Sequence, residues 1–233
     1  MSRILVGTHH KTGTVLMKNI FEKISESLGI KMLDCSGTSA SIDDNWDIIY
    51  DHHSTFNGVI LNDNLKGIHM IRDPRMIIVS SAFYHMKSSE AWLHQPIKRF
   101  SDMTYHEKIN SLSSDRERFL FEMDHGSSQT IRDMESWIER RYCWSLDIKL
   151  EELMVDVGFD VHFKMFRHIG LSGLDLIKAL EASYAESVFN PEKKDFSHIR
   201  SRSPESLDKY FDGALHDSFK KRFGNVCEKL GCA

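Results

Sequence analysis

MSRILVGTHHKTGTVLMKNIF, residues 1–21, carries the reading of the fold. Ile4, Leu5 and Val6 are apolar and largely β-branched, and they run into Gly7, the pattern of a buried strand. From Thr14 the period changes. Leu16, Ile20, Ile24 and Leu28 recur every four residues, which places them along one face of a helix. Residues 8–13 are then a strand-to-helix turn, and Gly13 lets the backbone come close to a ligand. The N–H groups of a helix's first turn, at the positive end of its dipole, attract anions. Lys11 adds a full positive charge, so the loop suits a phosphate or a group like one.

The rest of the chain alternates in the same manner. MLDC (32–35) reads as a second strand, residues 46–50 as a third, ending in DHHS, and GIHMI (67–71) as a fourth, stopped by RDPR. Helical periodicity resumes at Met76 and runs to about His85. Residues 129–142 look helical, LDIKL (146–150) looks like a strand, and the remainder is mostly helical. Strands alternating with helices predict one α/β domain over 1–233 with a central parallel sheet flanked by helices. Residues 87–117 are polar and aromatic by turns without a clean period, which predicts a mobile lid or substrate loop. Residues 190–204, NPEKKDFSHIRSRSP, form a basic polar loop too long to be a mere connector.

Composition narrows the function classes. The 30 basic and 34 acidic residues leave a formal net charge of −4, which disfavours wholesale nucleic-acid binding and makes any anion site local. No signal-peptide pattern opens the chain, and no apolar run approaches the roughly 18 residues that span a bilayer. The expectation is a cytoplasmic protein, or a luminal one trimmed of an anchor. Cys35, Cys143, Cys227 and Cys232 show no CxxC spacing, so free thiols are expected, with a Cys227–Cys232 pair as the lesser alternative.

Two short motifs carry the chemistry. A Walker A loop places its lysine after the second glycine, whereas here Lys11 precedes Gly13 as K-T-G-T, which counts against an ordinary P-loop NTPase. The second motif is IHMIRDPRMIIVSSAFYH (68–85). A strand ends at Arg72, Pro74 sits where a helix begins, and Ser80 lies two turns into it. Eight residues apart on different elements, Arg72 and Ser80 could face one anion. The plainer alternatives are a Lys11 head in solvent, an Arg72 paired with a carboxylate, and a Ser80 that simply packs.

In order and spacing, the two segments resemble the sulfotransferases that use 3′-phosphoadenosine 5′-phosphosulfate (PAPS), with their strand–KxGT–helix and strand–R-[DN]-P–helix loops. The resemblance implies a P-loop NTPase-like α/β sulfotransferase fold and transfer of a sulfuryl group from PAPS to a hydroxyl or amine of a small-molecule or carbohydrate acceptor, releasing 3′-phosphoadenosine 5′-phosphate (PAP). It implies that Lys11 stabilises the leaving group and that Lys11, Thr12, Gly13, Thr14 and Val15 cradle the 5′-phosphosulfate. Arg72, Ser80 and one of Arg200 or Arg202 would take the 3′-phosphate. SLDIKLEELMVD (145–156) looks like the family's strand and Y-E-D-L turn, with Leu150 in place of the aromatic. IRSRSPESLDKYF (199–211) loosely resembles R-x-G-x-x-G-x-W-K. Aligned on Arg200 it lacks both glycines, and Leu207 stands where the tryptophan would be.

The family's general-base histidine aligns with His52, and His53, His10 or a carboxylate remain alternatives. The adjacent pairs His9–His10 and His52–His53 lack the separation of zinc motifs, so no metal is assigned. Trp92, Phe100 and Tyr105 would either stack on an acceptor or pack their segment onto the body. A kinase-like phosphotransferase and a non-catalytic PAP-binding homologue are the rival readings. The acceptor's identity and the oligomeric state are not legible.

Overall fold

The computed structural model describes residues 3–37, 42–43, 45–195 and 201–232. In chain order the elements begin β1 (Ile4–Gly7), α1 (Thr14–Leu28), β2 (Met32–Asp34), β3 (Ile48–Asp51), β4 (Lys66–Ile71) and α2 (Pro74–His85). Next come α3 (Tyr105–Asn110), α4 (Asp115–Asp124), α5 (Gly126–Glu139), β5 (Ser145–Lys149) and α6 (Leu150–Met154). The chain ends with α7 (Asp160–His168), α8 (Gly173–Glu186), α9 (Gly213–Phe223) and α10 (Val226–Lys229). Two compact units result: Met1–Arg72 with Trp137–Pro204, and Asp73–Ser136 with Glu205–Ala233.

The first unit is built on a five-stranded, wholly parallel sheet of order β2-β3-β1-β4-β5. This is the expected α/β class. Ile4 of β1 lies opposite Ile48 on one side and Lys66 on the other, and β1 is the central strand, buried along its whole length. Its side chains alternate between two layers, as a strand's must. Ile4 and Val6 join Met17, Ile20, Phe21 and Ile24 of α1 in the larger core cluster, while Leu5 joins Phe56, Trp137 and Trp144 in another.

The helix seam differs slightly from the four-residue spacing read in the sequence. Met17, Ile20, Phe21 and Ile24 are buried, while Leu16 and Leu28 are partly buried along its edge. An i, i+3, i+4, i+7 stripe follows the 3.6-residue turn more closely than a strict period of four. Each of these fully buried apolar side chains contributes about 1.5–3 kcal/mol relative to exposure.

The second unit is helical: α2–α4, most of α5, α9 and α10. The loop expected over 87–117 is largely ordered into helical pieces instead. Two 3₁₀ turns (Ala91–His94 and Lys98–Phe100) precede α3 and the start of α4. The physical reason is local capping. Thr104 and Glu107 form a reciprocal capping box, and the Ser114 hydroxyl caps α4 by accepting from the Glu117 N–H. Phe100 and Tyr105 are buried, packing with Phe121, while Trp92 remains 45% exposed against Tyr105 and His85. Beneath them Glu122 is fully buried and accepts from His85 Nδ1 at 2.6 Å, Tyr105 OH at 2.9 Å and Ser127 Oγ at 2.9 Å.

Among the described residues no helix is long and apolar enough to cross a membrane.

Candidate functional site

All five strands are parallel, so their C-terminal ends share one edge of the sheet. The chain passes to the other side of β1 between β3 and β4. In open α/β sheets the space outside such a reversal is where ligand sites form. The turn after β1, residues 8–13, emerges there.

Its conformation is set by hydrogen bonds to His9. The His9 carbonyl accepts from Thr12 N at 3.1 Å, Thr12 Oγ1 at 2.9 Å and Thr14 Oγ1 at 2.9 Å, and the His9 N–H donates to Thr12 Oγ1 at 2.8 Å. The threonine hydroxyls therefore brace the turn from inside. Lys11 (φ 66°) and Gly13 (φ 96°) both lie in the left-handed region, and Gly13 caps α1. A lysine held at positive φ is strained backbone of the kind that clusters at functional sites. Past it, the N–H groups of Gly13, Thr14 and Val15 open the helix, where no intrahelical carbonyl is available to them. Tyr50 of β3 donates its hydroxyl to the Thr14 carbonyl at 2.9 Å, and burial pushes its phenol well above the usual range.

Arg72 follows β4, the neighbour of β1. Its guanidinium donates to the Lys11 carbonyl at 2.9 Å and to Glu151 Oε1 at 3.3 Å, and its side chain is 12% exposed. The structure thus brings Lys11 and Arg72 together, and the carboxylate alternative weighed for Arg72 is also present, in Glu151.

His52 lies in the turn after β3. Asp51 organises that turn by accepting from His53 N, Thr55 N, Thr55 Oγ1 and Phe56 N. Ser54 Oγ donates to the Thr8 carbonyl at 2.9 Å, tying this turn to the one after β1. A Cβ on Gly7 would sit 2.6 Å from Ser54 Oγ and 3.1 Å from the Phe56 ring, so a side chain there would push this contact aside. His52 is half-buried, donates its backbone N–H to Ser36 Oγ and meets the His53 ring edge-on at 4.1 Å. Burial, then the neighbouring His53, lowers its pKa, so it is neutral and able to accept a proton at physiological pH.

Ser80 is buried on α2 in the second unit. Arg202 is exposed, and Arg200 lies outside the described residues. Among the described residues no group of three or more His, Cys, Asp or Glu is arranged to hold a metal.

One constellation went unread in the sequence. His9 Nε2 and His69 Nε2 are 2.7 Å apart, and His69 Nδ1 is 2.7 Å from Asp147 Oδ1. Both imidazoles are buried, whereas the Asp147 side chain is 41% exposed. Trp137 stacks on the His69 ring at 5.0 Å. Burial lowers both histidine pKa values, that of His9 strongly, with His69 and then His53 adding to the effect. The signal available was His69 itself, a histidine inside the apolar run GIHMI, which needs a buried partner.

No family model and no curated protein matches the chain. Solved structures do. Mouse sulfotransferase SULT7A1 complexed with PAP is 15% identical, with 99% of this chain and 88% of that one covered and a TM-score of 0.56. Retinol dehydratase in complex with androsterone and inactive cofactor PAP is 14% identical over 97% of this chain and 81% of that one, with a TM-score of 0.58. The same enzyme with retinol and PAP gives 13%, 97%, 81% and 0.56. At these identities the likeness is one of architecture, and in architecture this chain has the sulfotransferase fold.

Proposed function

We propose that the protein transfers a sulfuryl group from PAPS to a hydroxyl or amine of a small-molecule or carbohydrate acceptor, releasing PAP. The observation that carries this reading is the turn after β1, where Lys11 and the first N–H groups of α1 stand beside Arg72, which reaches the Lys11 carbonyl from the next strand. Backbone donors, the helix dipole and the Lys11 charge together suit a doubly charged anion at this turn, with Arg72 available to a second one beside it.

Transfer moves SO₃ in line from the phosphosulfate to the acceptor atom, so the protein's part is positioning and charge stabilisation. The N–H groups of Gly13, Thr14 and Val15 hold the 5′-phosphate oxygens. The Lys11 ammonium sits at the bridging oxygen between sulfur and phosphorus and offsets the charge that grows there as the bond breaks. His52, neutral by virtue of its burial, takes the acceptor's proton. Arg72 recognises the 3′-phosphate by exchanging its contact with Glu151 for the ligand. The parts of Ser80, Arg200 and Arg202 in 3′-phosphate binding rest on the sequence resemblance alone.

The experiment is calorimetric titration with PAP, with 5′-AMP and ATP as controls. Binding that requires the 3′-phosphate and weakens in Arg72→Ala is the expected result. A preference for ATP would favour a kinase-like phosphotransferase and overturn the reading.

A further inference from the structure

The line Asp147–His69–His9 ends at the residue whose backbone closes the turn after β1. Its hydrogens can be assigned from the acceptors. A carboxylate only accepts, so His69 carries its proton on Nδ1 and donates to Asp147. Neutral His69 then has a bare Nε2, and the 2.7 Å contact requires His9 to be protonated on Nε2 and to donate to it. Two imidazoles, each in a single tautomer, thus form a directed line from the buried turn to a carboxylate at the surface.

We propose that Asp147, His69 and His9 are a positioning chain for the donor loop, fixing the His9 ring so that its backbone holds residues 8–14 in the anion-binding conformation. The inference rests on the donor-site reading above and assigns roles that the reading does not contain. His9 is clamped from both ends: its ring by β4 and, through β4, by β5, and its N–H and C=O by Thr12 and Thr14. Lys11, strained at φ 66°, lies between those clamps.

The chain is proton-sensitive with a definite sign. Among the described residues, the charged and titratable groups acting on it are His53 toward His9 and Asp147 toward His69. A first added proton can sit on His9 Nδ1 and leave the line intact. A second, on His69 Nε2, sets two N–H donors against each other and breaks it. Burial keeps both rings neutral, so the conformation is held at pH 7 and lost on acidification below the ordinary histidine value of about 6.5.

The test uses the full chain labelled with ¹⁵N. In wild type at pH 7.5, imidazole ¹⁵N spectra should show His69 protonated on Nδ1 and His9 on Nε2. Asp147→Asn, at a surface-accessible position, should change both patterns, as replacing the orienting carboxylate of a catalytic triad does. It should also speed exchange of the Thr12 amide and weaken PAP binding by about 10-fold each, the scale of losing an orienting partner. PAP affinity of wild type should fall with acid, and that dependence should shift in the variant. A His9 ring protonated on Nδ1 in wild type would overturn the proposal without any variant. So would Thr12 exchange and PAP affinity unchanged in Asp147→Asn. Failure of wild type to bind PAP, with the tautomers as assigned and Thr12 exchange sensitive to Asp147, would overturn the donor reading and support the chain as the loop's anchor.

Discussion

Replacing Gly13 by alanine tests the geometry of the donor loop most directly. Gly13 sits at φ 96° and ψ 27°, where an L-residue costs about 1–2 kcal/mol. The new Cβ would lie 3.0 Å from Leu150 Cδ1 and 3.8 Å from Met70 Cε. The second distance is ordinary contact. The first asks a flexible leucine end to shift, at about 0.5–1 kcal/mol for an off-rotamer side chain. The total is then about 1.5–3 kcal/mol, or roughly 10- to 100-fold in an equilibrium constant. If the loop keeps its shape, the cost appears as lost stability in urea denaturation. If the loop relaxes, it appears as weakened PAP binding by calorimetry. Leu150→Ala in the same background removes only the crowding share, measured against Leu150→Ala alone, and leaves the backbone share. A Gly13→Ala protein with both wild-type stability and wild-type PAP affinity would refute the reasoning.

Three further expectations follow from the site and the second unit. Lys11→Ala should lower kcat by about 10²–10³ at saturating donor, the usual loss for one charge-stabilising group, and unchanged turnover would remove Lys11 from the chemistry. His52→Ala should abolish the acidic limb of the kcat/KM profile, whereas an unaltered limb with a near-normal rate would dismiss it as the base. Glu122→Ala leaves the buried His85, Tyr105 and Ser127 donors without their shared carboxylate. It should destabilise the protein by about 3–5 kcal/mol, read as a fall in Tm, and a Tm within a degree or two of wild type would show that the network contributes little.

The elements nearest the donor loop were legible because each of their signals is local. An apolar β-branched run, a change of period at Thr14 and a proline after RD are each contained within a few residues of chain. The strand, turn and helix around residues 4–28 and the strand and helix around RDP could therefore be read before any contact was known, whereas the order of the strands in the sheet could not. Residues 87–117 misled because their helices are short and their apolar positions irregular. Only the capping box at Thr104 and Glu107 marks α3, and it is a two-residue signal in a polar stretch.

The His9–His69–Asp147 line was illegible for a different reason. Its members are separated by 60 and 78 residues; parallel pairing sets His69 opposite Asp147, and His9 reaches His69 from the turn two residues past Gly7, the register partner of His69. Adjacent histidines at 9–10 and 52–53 invited comparison with each other, while the true partner of His9 lay inside a strand. The hydroxyls of Thr12 and Thr14 show the same limit. The family resemblance implied that they cradle an anion, and in the structure their closest acceptor is the carbonyl of His9.

The inner position of β1 has a consequence for how the protein is made. Its pairings run from Ile4 to Ile48 and to Lys66, and β4 in turn waits for Ser145 opposite Gly67. Among the described residues no strand pairs with one within reach of a tight hairpin, so each of these sheet pairings closes a longer loop of chain. Sequence-distant pairing of this kind makes for slow folding. Because the K-T-G-T turn follows β1, a growing chain holds those letters long before it holds their shape. Nucleotide binding should therefore appear late in refolding, at the step that docks β5, and would serve as a reporter of the completed sheet.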